Sequence, residues 1–115
     1  MRITQTERAW AAGFFDGEGS VFITNIGRNK DYPYPRVLIG QNDRRVLDRF
    51  KAVIGEGRIR GPYAYKNRPR TKPMFLWGLF GYPQIGRLAR TIGPWLSPQK
   101  KRQFRACGFV VPHRK

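Results

Sequence analysis

The chain has only 7 Asp and Glu against 23 Lys and Arg. Two of those acids stand two residues apart in the glycine-bounded run Ala11-Ala12-Gly13-Phe14-Phe15-Asp16-Gly17-Glu18-Gly19. Carboxylates bind hard divalent cations, and such ions stabilise the charge on the attacking and leaving oxygens when a phosphodiester is hydrolysed. Glu18 is the best candidate ligand. Asp16 falls in the last turn of a helix, where a carboxylate opposes the helix dipole and needs some other interaction to favour it. Other chemistries fit poorly. His113 is the one histidine and has no partner motif for general-base work, and one Cys with one His cannot build a four-ligand structural zinc site. Glu56-Gly57-Arg58 lacks the lysine of a restriction-type Glu-x-Lys site.

The pattern around the acids supplies a scaffold for them. Thr4-Gln5-Thr6-Glu7 reads as a capping box, opening a helix over 5–16 that Gly17 and Gly19 stop. β-formers over 20–25 and 34–41 predict two strands paired as a hairpin. Asn42 or Asp43 caps a second helix, whose Val46, Leu47, Phe50, Val53 and Ile54 share one face before Gly55 ends it. Strands over 57–63 and 74–81 flank a basic, turn-prone stretch, a second hairpin with a charged loop. Ile85, Leu88, Ala89 and Ile92 mark a third helix closed by Gly93-Pro94, and Ser97-Pro98 opens a short fourth. The order α-β-β-α-β-β-α plus that last helix predicts an α+β fold: an antiparallel sheet with helices on one face and the other face open.

Residues 1–115 fit one domain, and 40% hydrophobic residues are enough for a core. The formal charge of +16 calls for a polyanion, and nucleic acid comes first, since each neutralised phosphate releases a counterion. A ribosomal or packaging protein would explain the charge but not an acid pair set between glycines. The lone Cys107 and the absence of any signal-like or membrane-spanning apolar run predict an intracellular protein, cytoplasmic or organellar, with no membrane partner. If two copies of the first helix pack about a two-fold axis, Ala9, Ala12 and Gly13 allow close approach and the two Glu18 carboxylates converge at one end. Each strand of a duplex would then have its own metal site.

The run 11–19 resembles the nine-residue motif of the LAGLIDADG homing endonucleases. It matches directly at Ala12, Gly13, Asp16 and Gly19, conservatively at Phe14, Phe15, Gly17 and Glu18, and departs most at Ala11, where the motif has leucine. The order of elements resembles that family across nearly the whole chain. Shorter matches are Gln41 with Arg45, Ile54-Gly55-Glu56-Gly57, and Pro94-Trp95-Leu96 followed by Lys100 and Lys101. One motif per chain is the pattern of homodimeric members. The resemblance implies a site-specific double-strand DNA endonuclease using Mg2+ or another divalent cation such as Mn2+ on a long, partly palindromic site. It makes Glu18, at the eighth motif position, the metal-binding acid, with the Gly17 carbonyl beside it. Gln41, Arg45 and Lys100 would hold water or phosphate near the metal, with Lys101 as the alternative lysine because the register slips there. The alternative within the same fold is a non-cleaving module, an intron RNA maturase or a DNA-binding regulator; retention of Glu18 favours the enzyme.

Strand parity gives an argument that needs no relative. With Ile59 toward the core, Arg58 and Arg60 share the opposite face, as do Thr24 against Val21 and Ile23, and Arg36 against Val37. A two-stranded ribbon fits the major groove, where Arg reads guanine, while Arg28, Lys66, Arg68, Arg70 and Lys72 in the loops suit DNA contacts and the last four suit phosphate. Phe22, Leu38 and Gly40 fall on the same side, so part of this face would read methyl groups or shape.

Overall fold

The capping box forms as its spacing predicts: the Thr4 hydroxyl accepts the Glu7 N–H and the Glu7 carboxylate accepts the Thr4 N–H, both at 3.0 Å. These bonds satisfy two donors that a helix start leaves open. The computed structural model describes residues 3–25, 33–64 and 72–112; Arg28, Lys66, Arg68 and Arg70 lie outside the described residues. Helix α1 runs Gln5–Glu18, two residues past its expected end. A glycine inside a helix costs only about 1 kcal/mol against alanine, so Gly17 alone does not stop it. The chain leaves the helix at Gly19 (φ −89°, ψ 155°) and enters β1 (Gly19–Asn25) with no loop between. Gly19 is fixed by a close approach: a Cβ there would lie 2.4 Å from Cδ2 of Phe15, whose ring is fully buried.

Strand β2 (Pro33–Gln41) pairs antiparallel with β1, from Gly19 opposite Ile39 to Asn25 opposite Pro33. Helix α2 (Arg44–Ile54) is capped by Asp43, whose Oδ1 accepts the Arg45 N–H at 2.9 Å. Asn42, the other candidate cap, instead donates from Nδ2 to the carbonyls of Lys72 and Pro73 at 3.3 and 3.2 Å. It thus ties the start of β4 to the β2–α2 junction. Two arginines in the first turn of α2 oppose its dipole. Pairs with acids offset this: Arg45 grips Asp43 through Nε and a terminal nitrogen at 3.1 Å each, and Arg44 meets Asp48 at 3.5 Å.

The chain then forms β3 (Arg58–Tyr63), β4 (Met74–Phe80), α3 (Tyr82–Ile92), a 3-10 turn over Gly93–Trp95, and α4 (Pro98–Ala106), with Ser97 as its N-cap. The sheet order is β1-β2-β4-β3 with antiparallel neighbours throughout, so both expected hairpins form and join through their second strands. The core lies on one face of the sheet. Val37, Ile39 and Trp77 from the strands meet Phe15 of α1, Leu47 and Phe50 of α2, Ile85 and Ile92 of α3 and Phe104 of α4. Each large apolar side chain buried this way contributes roughly 1.5–3 kcal/mol. Trp77 also satisfies its polar end, donating Nε1 to the Glu56 carbonyl at 3.0 Å while its ring meets Phe50 edge-on at 4.9 Å. No helix among the described residues is long and apolar enough to cross a membrane.

Ala12 corrects the expected small-residue face. Its side chain is fully buried within the chain's own core, whereas Ala9 and Gly13 are exposed. At about 100° per residue, Ala12 lies about 60° in helical phase from the buried Phe15 and about 100° from the exposed Gly13. The exposed small residues are Ala9, Gly13 and Gly17, four apart along one stripe.

Candidate functional site

The acids settle into distinct roles. Asp16, half-buried, accepts the backbone N–H of Ser97 with both carboxylate oxygens, at 3.0 and 3.1 Å. That bond, across 81 residues of sequence, is the interaction that favours a carboxylate in the last turn of α1. It joins the end of α1 to the start of α4. Glu7 is held in the capping box, Asp43 and Asp48 by arginines, and Glu56 by Arg87 through Nε at 3.0 and 3.2 Å. The Arg87 guanidinium holds the Glu56 carboxyl below its usual range, and Arg45 does the same to Asp43. Glu18 is different: it is exposed at the end of α1 and has no partner among the described residues.

Lys100 comes to the same place. Its Nζ donates to the Gly19 carbonyl, one residue beyond Glu18, and to Gln103 Oε1 at 3.4 Å, and it stands 5.9 Å from the centroid of the Phe15 ring. Of the two candidate lysines, Lys100 is therefore the one directed at the acid end of α1. Lys101 contributes its backbone N–H to the Ser97 carbonyl in the first turn of α4. Gln41 ends β2, two residues beyond the Ile39 that pairs with Gly19, so it occupies the same end of the sheet as Glu18. Arg45 follows just after and is committed to Asp43, with a side chain 91% exposed. The Gly17 carbonyl belongs to the last turn of α1, where helix carbonyls lack intrahelical partners and carry partial negative charge. Among the described residues no three His, Cys, Asp or Glu side chains cluster as a metal cage.

The face of the sheet away from the helices is open and basic. Its register places Arg36 beside Phe22 and Phe80, Leu38 beside Ser20 and Gly78, and Arg58 and Arg60 beside Gly78 and Leu76. Parity therefore put Arg36, Arg58 and Arg60 on one face correctly, and Thr24 pairs with Tyr34 at its far end. Arg36 lies over the Phe80 ring, 4.8 Å from its centroid. Lys72 is exposed at the approach to β4. Sequence reasoning passed over Tyr63, Leu76 and Phe80 on this face. Counting outward from Trp77, which the core claims, would have found Leu76 and Phe80.

No family model and no curated protein matches the sequence. Solved structures do. The homing endonuclease I-CvuI, in complex with its target, superimposes with a TM-score of 0.71 at 21% identity over 90% of this chain. The LAGLIDADG homing endonuclease I-GzeII, in complex with a DNA target, gives 0.66 at 22% identity over 85% of this chain. The fold is that of the LAGLIDADG homing endonucleases. Within it, the intron-encoded I-CeuI complexed with DNA gives a TM-score of 0.70 at 19% identity over 92% of this chain. The chain spans 64% of the I-CvuI chain, 55% of I-CeuI and 32% of I-GzeII. The run 11–19 that resembles the family's motif lies on α1 and the first residue of β1.

Proposed function

We propose that the chain is one half of a homodimeric, site-specific DNA endonuclease that hydrolyses one phosphodiester in each strand of a duplex. The observation that carries this reading is Glu18. Among the described residues it is the acid without a protein partner, placed at the end of α1 with Lys100 directed at the adjoining carbonyl. A purely structural acid in so basic a chain would be drawn into a pair, as Glu56 and Asp43 are. That I-CvuI is in complex with its target, and I-CeuI and I-GzeII with DNA, supports DNA as the partner of this basic chain.

Glu18 and the carbonyls ending α1, that of Gly17 included, form a small electronegative corner suited to a hard divalent cation such as Mg2+ or Mn2+. One carboxylate is too few for a closed cage, which fits a site completed by phosphate, water and a second copy of Glu18. When bound, the cation supplies charge stabilisation at the scissile phosphate and a more acidic water. The protein residues do the rest. Arg36, Arg58 and Arg60 hold the duplex against the sheet, Lys100 offers a proton-donating cation beside the acid, and Gln41 positions water or phosphate at the strand end. The exposed stripe Ala9, Gly13 and Gly17 suits the two-fold contact: a Cβ at either glycine meets nothing within 4 Å in the chain itself, so the chain alone gives no steric reason for them.

The test is Glu18→Gln, which keeps shape and removes charge. Cutting of a target selected from a randomised library in Mg2+ should fall at least about a thousandfold, while gel-shift affinity in chelator is kept or rises as repulsion from phosphate is removed. Undiminished cutting moves the chemistry elsewhere. A wild type that binds its selected target and never cuts it favours a binding module instead.

A further inference from the structure

On the open face, Gly78 stands at the centre of a ring of side chains. It pairs with Leu38 on β2 and Arg58 on β3; Leu76 and Phe80 flank it on the same side of β4, and Arg36 and Arg60 lie diagonally across. With no side chain at its centre, the ring borders a hollow of about 210 Å³ that Tyr63 also lines. The glycine is not demanded by the backbone or by a rigid neighbour. A Cβ there would come within 3.2 Å of Leu38 Cδ2 alone, the movable tip of a side chain. A strand-interior glycine of this kind weakens the sheet and marks a place of close approach.

The hollow has an apolar floor and walls of Leu38, Leu76 and Phe80 under a rim of three arginines. Arg36 is the rim member with an aromatic partner. Its guanidinium lies over the Phe80 ring, and its Nε is shielded with no hydrogen-bond partner among the described residues. That contact holds the group over the ring and leaves its terminal nitrogens for a planar acceptor pair such as guanine O6 and N7. The rim calls for a polyanion and the floor for an apolar projection. In the major groove of duplex DNA that projection is the C5-methyl group of a pyrimidine.

We propose that the hollow above Gly78 seats the C5-methyl group of thymine or 5-methylcytosine in a base step whose neighbouring guanine is held by Arg36. This rests on the DNA-binding reading above and adds which chemical group the centre of the sheet selects. The hollow exceeds a methyl group in size, which leaves Arg58 and Arg60 room to fold inward onto the flanking bases.

The experiment uses the full chain and a duplex selected from a randomised library. Each thymine in the site is replaced in turn by deoxyuracil, which removes the methyl group alone, and each cytosine by 5-methylcytosine. One position per half-site should lose about fourfold in affinity on methyl removal, and roughly the square of that when both half-sites are changed. Gly78→Ala raises a methyl group from the floor of the hollow, where the base methyl would sit, and should reduce the discrimination while keeping salt-dependent affinity; Leu76→Ala, which removes a wall, should do likewise. Thermal melting checks that both variants fold. If every thymine tolerates deoxyuracil, or both variants keep the wild-type discrimination, the proposal is overturned and the DNA-binding reading stands. A wild type that selects no duplex overturns that reading, and the proposal with it.

Discussion

The two acids of the motif differ in what holds them, so Asp16 and Glu18 should fail in opposite ways. Asp16→Ala removes the acceptor of the Ser97 N–H, bound at 3.0 and 3.1 Å, and leaves that donor half-buried without its partner. A hydrogen bond to a charged group contributes about 1.5–3 kcal/mol. Taking the middle of that range, a domain of this size should lose on the order of 10 °C in Tm. Asp16→Asn keeps one acceptor oxygen and should lose roughly half as much. Because the bond pins the start of α4, which carries Lys100, the Asn variant should keep cutting within about tenfold of wild type below its Tm. Glu18→Gln, with no partner to lose, should leave Tm unchanged and abolish cutting. Differential scanning fluorimetry and single-turnover cleavage on one selected duplex measure both quantities. An Asp16→Asn protein as inactive as Glu18→Gln at undiminished Tm would refute the reasoning, because Asp16 would then act in the chemistry.

Gly13→Leu should break the dimer without harming the chain: a Cβ at residue 13 meets nothing within 4 Å, and leucine favours the helix by up to about 1 kcal/mol. Sedimentation velocity should then show a monomer of unchanged or higher Tm, and an undisturbed dimer would place the contact elsewhere. At Glu56, Arg87 depresses the folded-state pKa, so the pair's contribution is present above the ordinary glutamate range and is lost as pH falls through the lowered value. The pair is half-exposed on the arginine side, so the effect is small. Glu56→Gln should therefore lie slightly below wild type in urea stability near neutrality and converge with it in acid; a gap that persists in strong acid would assign the loss to packing.

The sequence by itself determined the order of the elements and which face of each carries the apolar residues. Capping boxes, apolar periodicity and proline or glycine punctuation act within a few residues, so Thr4 with Glu7, the face of α2, and Ser97-Pro98 could be read directly. Strand alternation likewise put Arg36, Arg58 and Arg60 on one face. Grouping Ala12 with Ala9 and Gly13 as one small-residue face missed its burial, although helical phase sets it nearer Phe15 than Gly13. Only the tertiary structure decided which strands meet. The order β1-β2-β4-β3 brings Arg36 to Phe80 and opens the hollow at Gly78, and no local pattern encodes it, because strand order follows from how distant segments bury their apolar faces together. The same holds at the acid site. Asp16 and Lys100 each reach a partner 81 residues away, so which lysine is directed at the end of α1, and which acid of the pair is held by the backbone, follow from the packing of α4 against the end of α1.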